Sequence, residues 1–414
     1  MKKILVVAES IDIEDSSGTK GRVALIKNLV DAGYDLRVYH YTLKEIEIEG
    51  IPCYPIEENR SSLLFYLSRI ERHLRRKTGI KLNPLIEKYF GFSFTLINDR
   101  NSIVEALSKI NDFDPDLVLT LSKGGSFRPH HAVLKMKNLH SRWMAYLHDP
   151  YPMHLYPAPY RWYEPGHAMK EEFVREMFEK ANYLAFPSKL LKEWMGSFFP
   201  NVMDKSVIIP HQISNNQLNK IELPVYFDIT KFNILHAGYL LKGRDPQGIL
   251  QAFKKFLNEN PDAKKDARLI FLGGKNVYTG ELINSRKETP QINVSEDYVP
   301  FSEVSMMQDQ ASVNIILETK SEVSPFLPGK FPHCIMANKP ILLLGPSRSE
   351  SKRLLGNDYT YWSEIDDVES IKRIIEDLYT NWKGHGTIEM DRPDLKCYMS
   401  VQYLKKTFTS VLGI

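Results

Sequence analysis

Apolar residues along this 414-residue chain follow two alternating patterns. Short continuous apolar runs bounded by turn residues alternate with stretches whose apolar positions recur every three or four residues. That rhythm is the signature of layered, parallel α/β structure. Residues 4–8 read as a buried strand, and 21–32 as a helix with Val23, Ile26, Leu29 and Val30 on one face. Gly33 closes that helix as a C-terminal cap, and 36–39 form the next strand. Strands at 117–121, 143–147, 183–186 and 206–209 follow, with helices over 102–110 and 171–180.

After Pro210 the period fades into a polar stretch, 212–220, which reads as a linker. A second series then begins. Strands are expected at 232–237, 267–272, 292–294 and 313–317, with helices at 247–257 and 303–310. A Pro/Gly loop then leads into a short helix at 331–337 and a buried strand at 340–344. Residues 395–412 form a last helical pattern with Tyr398, Val401, Leu404 and Phe408 on one side. No internal repeat is evident. The expected organisation is an α/β domain over 1–211, a linker over 212–230, a second α/β domain over 231–390, and a C-terminal helix within 391–414 that returns to the first domain. Two doubly wound, Rossmann-like domains facing across a cleft would place their ligand crevice at the carboxyl ends of the strands.

Composition narrows the class. Hydrophobic content of 43% supports a core in each half, and a net charge of +3 gives no ground for a nucleic-acid partner. Cys53, Cys334 and Cys397 are odd in number and far apart, which fits a reducing compartment. The first apolar run is too short for a signal peptide and meets Glu9, and no stretch reaches the length of a membrane span. A cytoplasmic protein is expected, with room for a peripheral position on the inner face of a membrane.

The stretch 324–346 carries the most chemistry. A loop entering a helix beside a parallel strand aims backbone N–H groups and a positive dipole end at its ligand, usually phosphate, and Lys330 stands at that entrance. The strand 232–237 runs into Gly238, followed by Lys242, Gly243 and Arg244 before the next helix. Glycines let the backbone turn tightly there. Cations and amides already in place suit a diphosphate leaving group. Either loop alone reads equally as an ordinary strand-to-helix turn; paired in one domain they point to a diphosphate clamp.

These residues resemble a known family. Gly238…Gly243-Arg244-Asp245-Pro246, followed by the helix with Ala252 and Phe253, resembles the first loop of the C-terminal domain in GT-B glycosyltransferases. Tyr298-Val299-Pro300-Phe301 is similar to the segment those enzymes place beside the nucleotide base. Pro328-Gly329-Lys330, with His333, Asn338, Lys339 and Pro340, is similar to their Pro-x-Lys-x-x-Glu-Tyr-x-x-x-Gly-Lys-Pro signature. The resemblance implies that Arg244 and Lys330, with Gly238 and Lys242, hold the donor diphosphate, and that Tyr298, Val299, His333 and Glu322 surround the base and ribose. It implies a sugar nucleotide, UDP- or GDP-linked, as substrate, with no cofactor and no metal, and a retaining outcome. Two departures stand out. His333 occupies the place of the ribose-binding Glu, and Pro325 that of the first Glu of the retaining Glu-x7-Glu pair.

In the first domain, Ser17, Gly18 and Gly21 follow strand 4–8 through an acidic loop; they read as an acceptor or phosphate loop, or as a flexible lead into a helix cap. His148 and Asp149 stand just after a strand, placed to bind a hydroxyl or accept a proton, or else to cap a Pro-rich turn. Lys123, Arg128, His130 and His131 follow another strand and are candidates for the acceptor pocket. Residues 60–90 place Leu63, Leu64, Leu67, Ile70 and Leu74 at helical spacing beside five basic residues. Such a helix lies on anionic lipid or turns its apolar stripe into the core.

The expected function is transfer of a sugar from a nucleotide-diphosphate sugar to a glycan or lipid-linked acceptor in surface polysaccharide or glycoconjugate synthesis. A non-hydrolysing sugar-nucleotide epimerase of the same fold and a two-lobed binding protein without turnover are the alternatives.

Overall fold

A computed structural model describes residues 1–213, 223–386 and 388–413, apart from the Ser17 side chain. Two compact units divide the chain, residues 1–214 with 399–414, and residues 215–398. Of the expected linker 212–230, residues 214–222 lie outside the described residues.

The first unit contains seven parallel strands. They are β1 (Lys3–Ala8), β2 (Asp35–His40), β3 (Cys53–Pro55), β4 (Leu117–Leu121), β5 (Trp143–Tyr146), β6 (Tyr183–Phe186) and β7 (Ser206–Ile208), in the order β3-β2-β1-β4-β5-β6-β7. Both faces of the sheet are covered, which is why β4 reads Leu-Val-Leu-Thr-Leu without alternation. The pleat sorts β1 between two cores: Ile4 and Val6 pack with Leu29 and Phe408, while Leu5 and Val7 pack with Trp143 and Phe178.

The helix after β1 spans Ser17–Asp31 and starts four residues before the apolar pattern does. Ser16 is the cause: its hydroxyl accepts the Thr19 N–H at 3.3 Å and caps the first turn. Gly33, just past the helix end, takes the left-handed φ of 93° that a closing glycine supplies.

The C-terminal pattern is two helices. Pro393–Tyr398 stays with the second unit, where Arg392 donates to the carbonyls of Leu354 and Leu355. Val401–Leu412, capped by Ser400, belongs to the first unit and buries Leu404, Phe408 and Val411. The return therefore begins at Met399 instead of 391.

The second unit contains β8 (Phe232–Ala237), β9 (Ala267–Leu272), β10 (Ile292–Val294), β11 (Val313–Leu317), β12 (Ile341–Leu344) and β13 (Trp362–Ser363), in the order β10-β9-β8-β11-β12-β13. All pairings are parallel. Helices Gln247–Glu259 and Val368–His385 pack together over one face, burying Phe253, Phe256, Ile375 and Leu378. The three cysteines are unpaired. Among the described residues, no helix is long and apolar enough to cross a membrane.

Candidate functional site

Strand order reverses once in each sheet, between β1 and β4 and between β8 and β11. Ligands of doubly wound sheets bind beyond the carboxyl ends of the strands at such a reversal.

In the second unit that place is occupied by a cluster of charged and polar side chains. His236 is the penultimate residue of β8, Gly238 follows the strand, and Glu318 follows β11. Lys330 precedes the short helix Phe331–Met336, and its Nζ lies 2.9 Å from His236 Nε2. Gly238 holds φ at 129°, and a Cβ there would sit 3.4 Å from Lys330 Nζ. A side chain at 238 would therefore crowd the ammonium. Gly273, after β9, packs even closer, since its Cβ would meet the Gly238 carbonyl oxygen at 2.4 Å.

Burial decides the electrostatics. It pulls Lys330 down to about 7, helped by the Arg244 charge. It also holds His236 well below the ordinary imidazole range, with Lys330 and Arg244 adding to the effect. His236 is thus neutral, so a charged Lys330 donates to Nε2 and the ring proton sits on Nδ1. Glu318 is pushed up to about 7 by burial, against hydrogen bonds from Ser351, Ser324 and Ser349 and the charge of Arg244. Its Oε1 accepts from Ser351 at 2.5 Å.

Among the described residues, two buried nitrogens of this cluster, His236 Nδ1 and Arg244 Nε, have no hydrogen-bond partner. Buried polar atoms are rarely left so, because each costs about 1–3 kcal/mol. Their concentration at the sheet's reversal marks the place where a polar ligand would repay that cost.

The remaining expected residues of this unit lie around it to different degrees. Arg244 sits half-buried in the loop before the helix Gln247–Glu259. Lys242 is exposed, as is Glu322. Tyr298 is exposed, and Val299 packs against the cluster containing Phe227, Leu235 and Leu272. His333 meets the Phe301 ring edge-on at 5.0 Å. The helix behind Lys330 has only six residues, so cationic side chains carry more of the positive potential than its dipole does.

The first unit's reversal is filled by its own side chain. Arg22, almost wholly buried, donates to the Ser10 carbonyl at 3.4 Å, the Ser122 carbonyl at 3.0 Å and Thr19 Oγ1 at 2.6 Å. His148 Nδ1 lies 3.1 Å from Ser122 Oγ, and its ring stacks on Tyr146. Burial, then the charge of Arg22, holds His148 neutral. Asp149 is close enough to act on Arg22 electrostatically.

Ser17, Gly18 and Gly21 do not form a loop. They lie in the first turns of the capped helix, and a Cβ at Gly21 would stand 3.5 Å from His211 Nδ1. His130 and His131 are buried in the core, with His131 stacked on Phe173 at 3.5 Å. Arg128 is held by Glu9 at 2.5 Å and Asp99 at 2.6 Å, and Lys123 pairs with Asp15. Among the described residues, no group of three or more His, Cys, Asp or Glu is placed to hold a metal ion.

Sequence reasoning missed His236, Glu318 and Arg22. The signal for the first two was present: each is a single polar residue at the carboxyl end of an apolar run.

No protein-family model and no curated protein matches this sequence. Solved structures do. A glycosyltransferase from Rickettsia africae superposes with a TM-score of 0.62 at 13% identity, covering 99% of this chain and 97% of that one. A trehalose-6-phosphate synthase gives 0.65 at 10% identity, covering 100% and 99%. A UDP-forming trehalose-phosphate synthase from Burkholderia xenovorans gives 0.60 at 12% identity, again covering 100% and 99%. At such identities the likeness is one of fold. It is the GT-B fold, two Rossmann-like α/β domains.

Proposed function

We propose that this chain is a glycosyltransferase that moves a sugar from a nucleoside diphosphate sugar to a hydroxyl acceptor on a glycan or a lipid carrier. The observation that carries this reading is the set of unpartnered buried atoms around Lys330 at the β8/β11 reversal. A diphosphate supplies what those donors lack. The GT-B likeness, including an enzyme described as UDP-forming, supports a nucleoside diphosphate as leaving group.

In the reaction the bond between the sugar's anomeric carbon and the diphosphate oxygen breaks, and the acceptor oxygen bonds to that carbon. The acceptor's proton leaves to a base or to the departing diphosphate. Negative charge grows on the diphosphate as the bond lengthens. Arg244, and Lys330 once the bound anion keeps it protonated, offer positive charge there without requiring a metal, already in place to stabilise the leaving group. Gly238 and Gly273 let the backbone approach the phosphates, while Tyr298, Val299, His333 and Glu322 are assigned to the base and ribose. In the first unit, His148 and Asp149 are assigned to the acceptor hydroxyl or the transferred sugar, with Ser17, Gly18 and Gly21 on the helix beside them. Burial and the Arg22 charge disfavour a protonated His148, so it is assigned to hydrogen-bond a hydroxyl as a neutral ring. A retaining outcome and a role in surface polysaccharide synthesis complete the proposal.

Calorimetric titration with UDP and GDP tests it. Lys330→Ala and Arg244→Ala should each weaken binding about tenfold or more. If both variants bind as tightly as the parent, the diphosphate assignment is wrong. Incubation with donor alone separates transfer from epimerisation, because only an epimerase would change the donor sugar without an acceptor.

A further inference from the structure

The helix Leu63–Thr78 carries apolar residues on its outer side. Its buried residues are Ser68 and Glu71, whereas Leu63, Tyr66, Ile70 and Leu74 are exposed, Leu63 by 73%. Leu64, Phe65 and Leu67 are half-buried, so the helix has an inward apolar set and a second, outward one that its own unit does not cover. Its hydroxyl cap is Ser62, which accepts from Phe65 N–H, and Gly79 closes it in the left-handed region. The ends are thus defined, and the exposed stripe is not a frayed terminus.

The four apolar residues occupy one flank, spaced i, i+3, i+7 and i+11. Arg69, Arg72 and Arg76 occupy another, about 130° away at 100° per residue. The inner face, marked by Ser68 and Glu71, lies on the opposite side of the helix from the arc between them. The neighbouring helix Asn83–Phe90 continues the theme, with Leu85 and Tyr89 exposed on one side and Lys88 beside them. That helix is seated from behind: Lys170 reaches Glu87 at 2.8 Å, and a Cβ at Gly166 would stand 2.1 Å from the Glu87 carbonyl oxygen.

Charge chooses the occupant. Residues 60–90 contain eight Lys or Arg against two Glu, a net of +6, so the rest of the chain sums to −3. One of those Glu is buried and the other is paired with Lys170. A second copy of this chain would bring the same positive charge to the contact. An anionic bilayer brings the opposite charge together with an apolar interior. Exposed apolar side chains flanked by arginines match the boundary between acyl chains and phosphate headgroups.

We propose that the helices Leu63–Thr78 and Asn83–Phe90 dock this protein on an anionic membrane surface. Leu63, Tyr66, Ile70 and Leu74 enter the headgroup boundary, and Arg72 and Arg76 face lipid phosphates, while Arg69 is held by Glu58 at 3.0 Å. Docking needs no donor or acceptor, so it stands apart from the transfer reading.

Cosedimentation of the full chain with vesicles tests it, using phosphatidylglycerol and phosphatidylcholine in equal parts or phosphatidylcholine alone. The parent should bind the anionic vesicles, bind the neutral ones far less, and be released by high salt. Ile70→Glu with Leu74→Glu, and separately Arg72→Glu with Arg76→Glu, should each lower partitioning about tenfold or more. Both pairs are at half-buried or exposed positions, and unchanged circular dichroism would show that the fold persists. No binding by the parent overturns the proposal, as does parent-like binding by the Ile70/Leu74 pair. A parent that runs as a dimer, becomes monomeric in that pair and ignores vesicles assigns the stripe to self-association and overturns it too.

Discussion

Lys330 Nζ lies 2.9 Å from His236 Nε2, joining the loop after β11 to the end of β8. The pair crosses the sheet at its reversal, with an imidazole that stays neutral and an ammonium that loses its proton near 7. An anion bound there would favour the charged lysine.

Nucleoside diphosphate affinity should therefore depend on pH in a defined direction. Below 7 Lys330 is charged without a ligand. Above 7 the anion must draw in a proton, so affinity falls by up to about tenfold per pH unit. Lys330→Arg keeps its charge and should flatten that dependence. Calorimetry at pH 6, 7, 8 and 9 measures both slopes.

The same lysine weakens the folded state. Its proton is held more tightly in the unfolded chain, near 10.5, than in the folded one, near 7, so its contribution to stability rises with pH across that window. Lys330→Met removes the buried ammonium and should raise the melting temperature at pH 7 while weakening diphosphate binding. Thermal unfolding of the two proteins without ligand checks the first half, and titration checks the second.

Glu318 has the opposite sign. Its folded value near 7 lies above the ordinary 4.5, so the folded state binds the extra proton between these limits and loses stability as pH rises through them. Glu318→Gln keeps the shape without the charge. Its stability relative to the parent should improve between pH 5 and pH 8, by on the order of 2–3 kcal/mol. Urea midpoints of both proteins at the two pH values measure it.

Gly273→Ala should harm both fold and site. The residue holds φ at 151°, and a Cβ there would lie 2.4 Å from the Gly238 carbonyl oxygen. A loss of roughly 2–3 kcal/mol is expected from strain and displaced backbone. Because the displaced backbone is Gly238, UDP or GDP binding should weaken even at temperatures where the variant is folded. Gly280→Ala, in open space on the helix that follows, is the control.

Much of the fold was legible because buried parallel strands are continuous apolar runs. β8, β9 and β11 are mostly apolar, broken only by Asn233, His236, Arg268 and Asn314, and the sequence reading placed their ends where the structure has them. β3 and β13 escaped notice. They are two- and three-residue edge strands with one neighbour each, too short to show a period. The helix Ser17–Asp31 was read four residues short because one hydroxyl cap outweighs two glycines in its first turns.

The site was legible only in part. Lys330 and Arg244 stand out as cations in glycine-bearing loops, and the fold brings both to the β8/β11 reversal. His236 lies 94 residues from Lys330 in sequence, and only the strand order shows that the two are neighbours. Glu318 is one acidic letter after an apolar run, and nothing in the letters says that its carboxylate is enclosed by serines.

The helix Val401–Leu412 fixes a schedule for synthesis. Residues 215–398 are contiguous and are able to complete their own core as soon as they emerge. The first unit cannot. Its core includes Leu404, Phe408 and Val411, which are made only after the whole of the second unit, and Phe408 is wholly buried against Tyr34 and its neighbours. Until they arrive, the apolar face of Ile4, Val6, Leu25 and Leu29 stays uncovered on the nascent chain. Premature termination near 398 would thus leave a finished second unit tethered to an open first one, a prime substrate for chaperones and proteases.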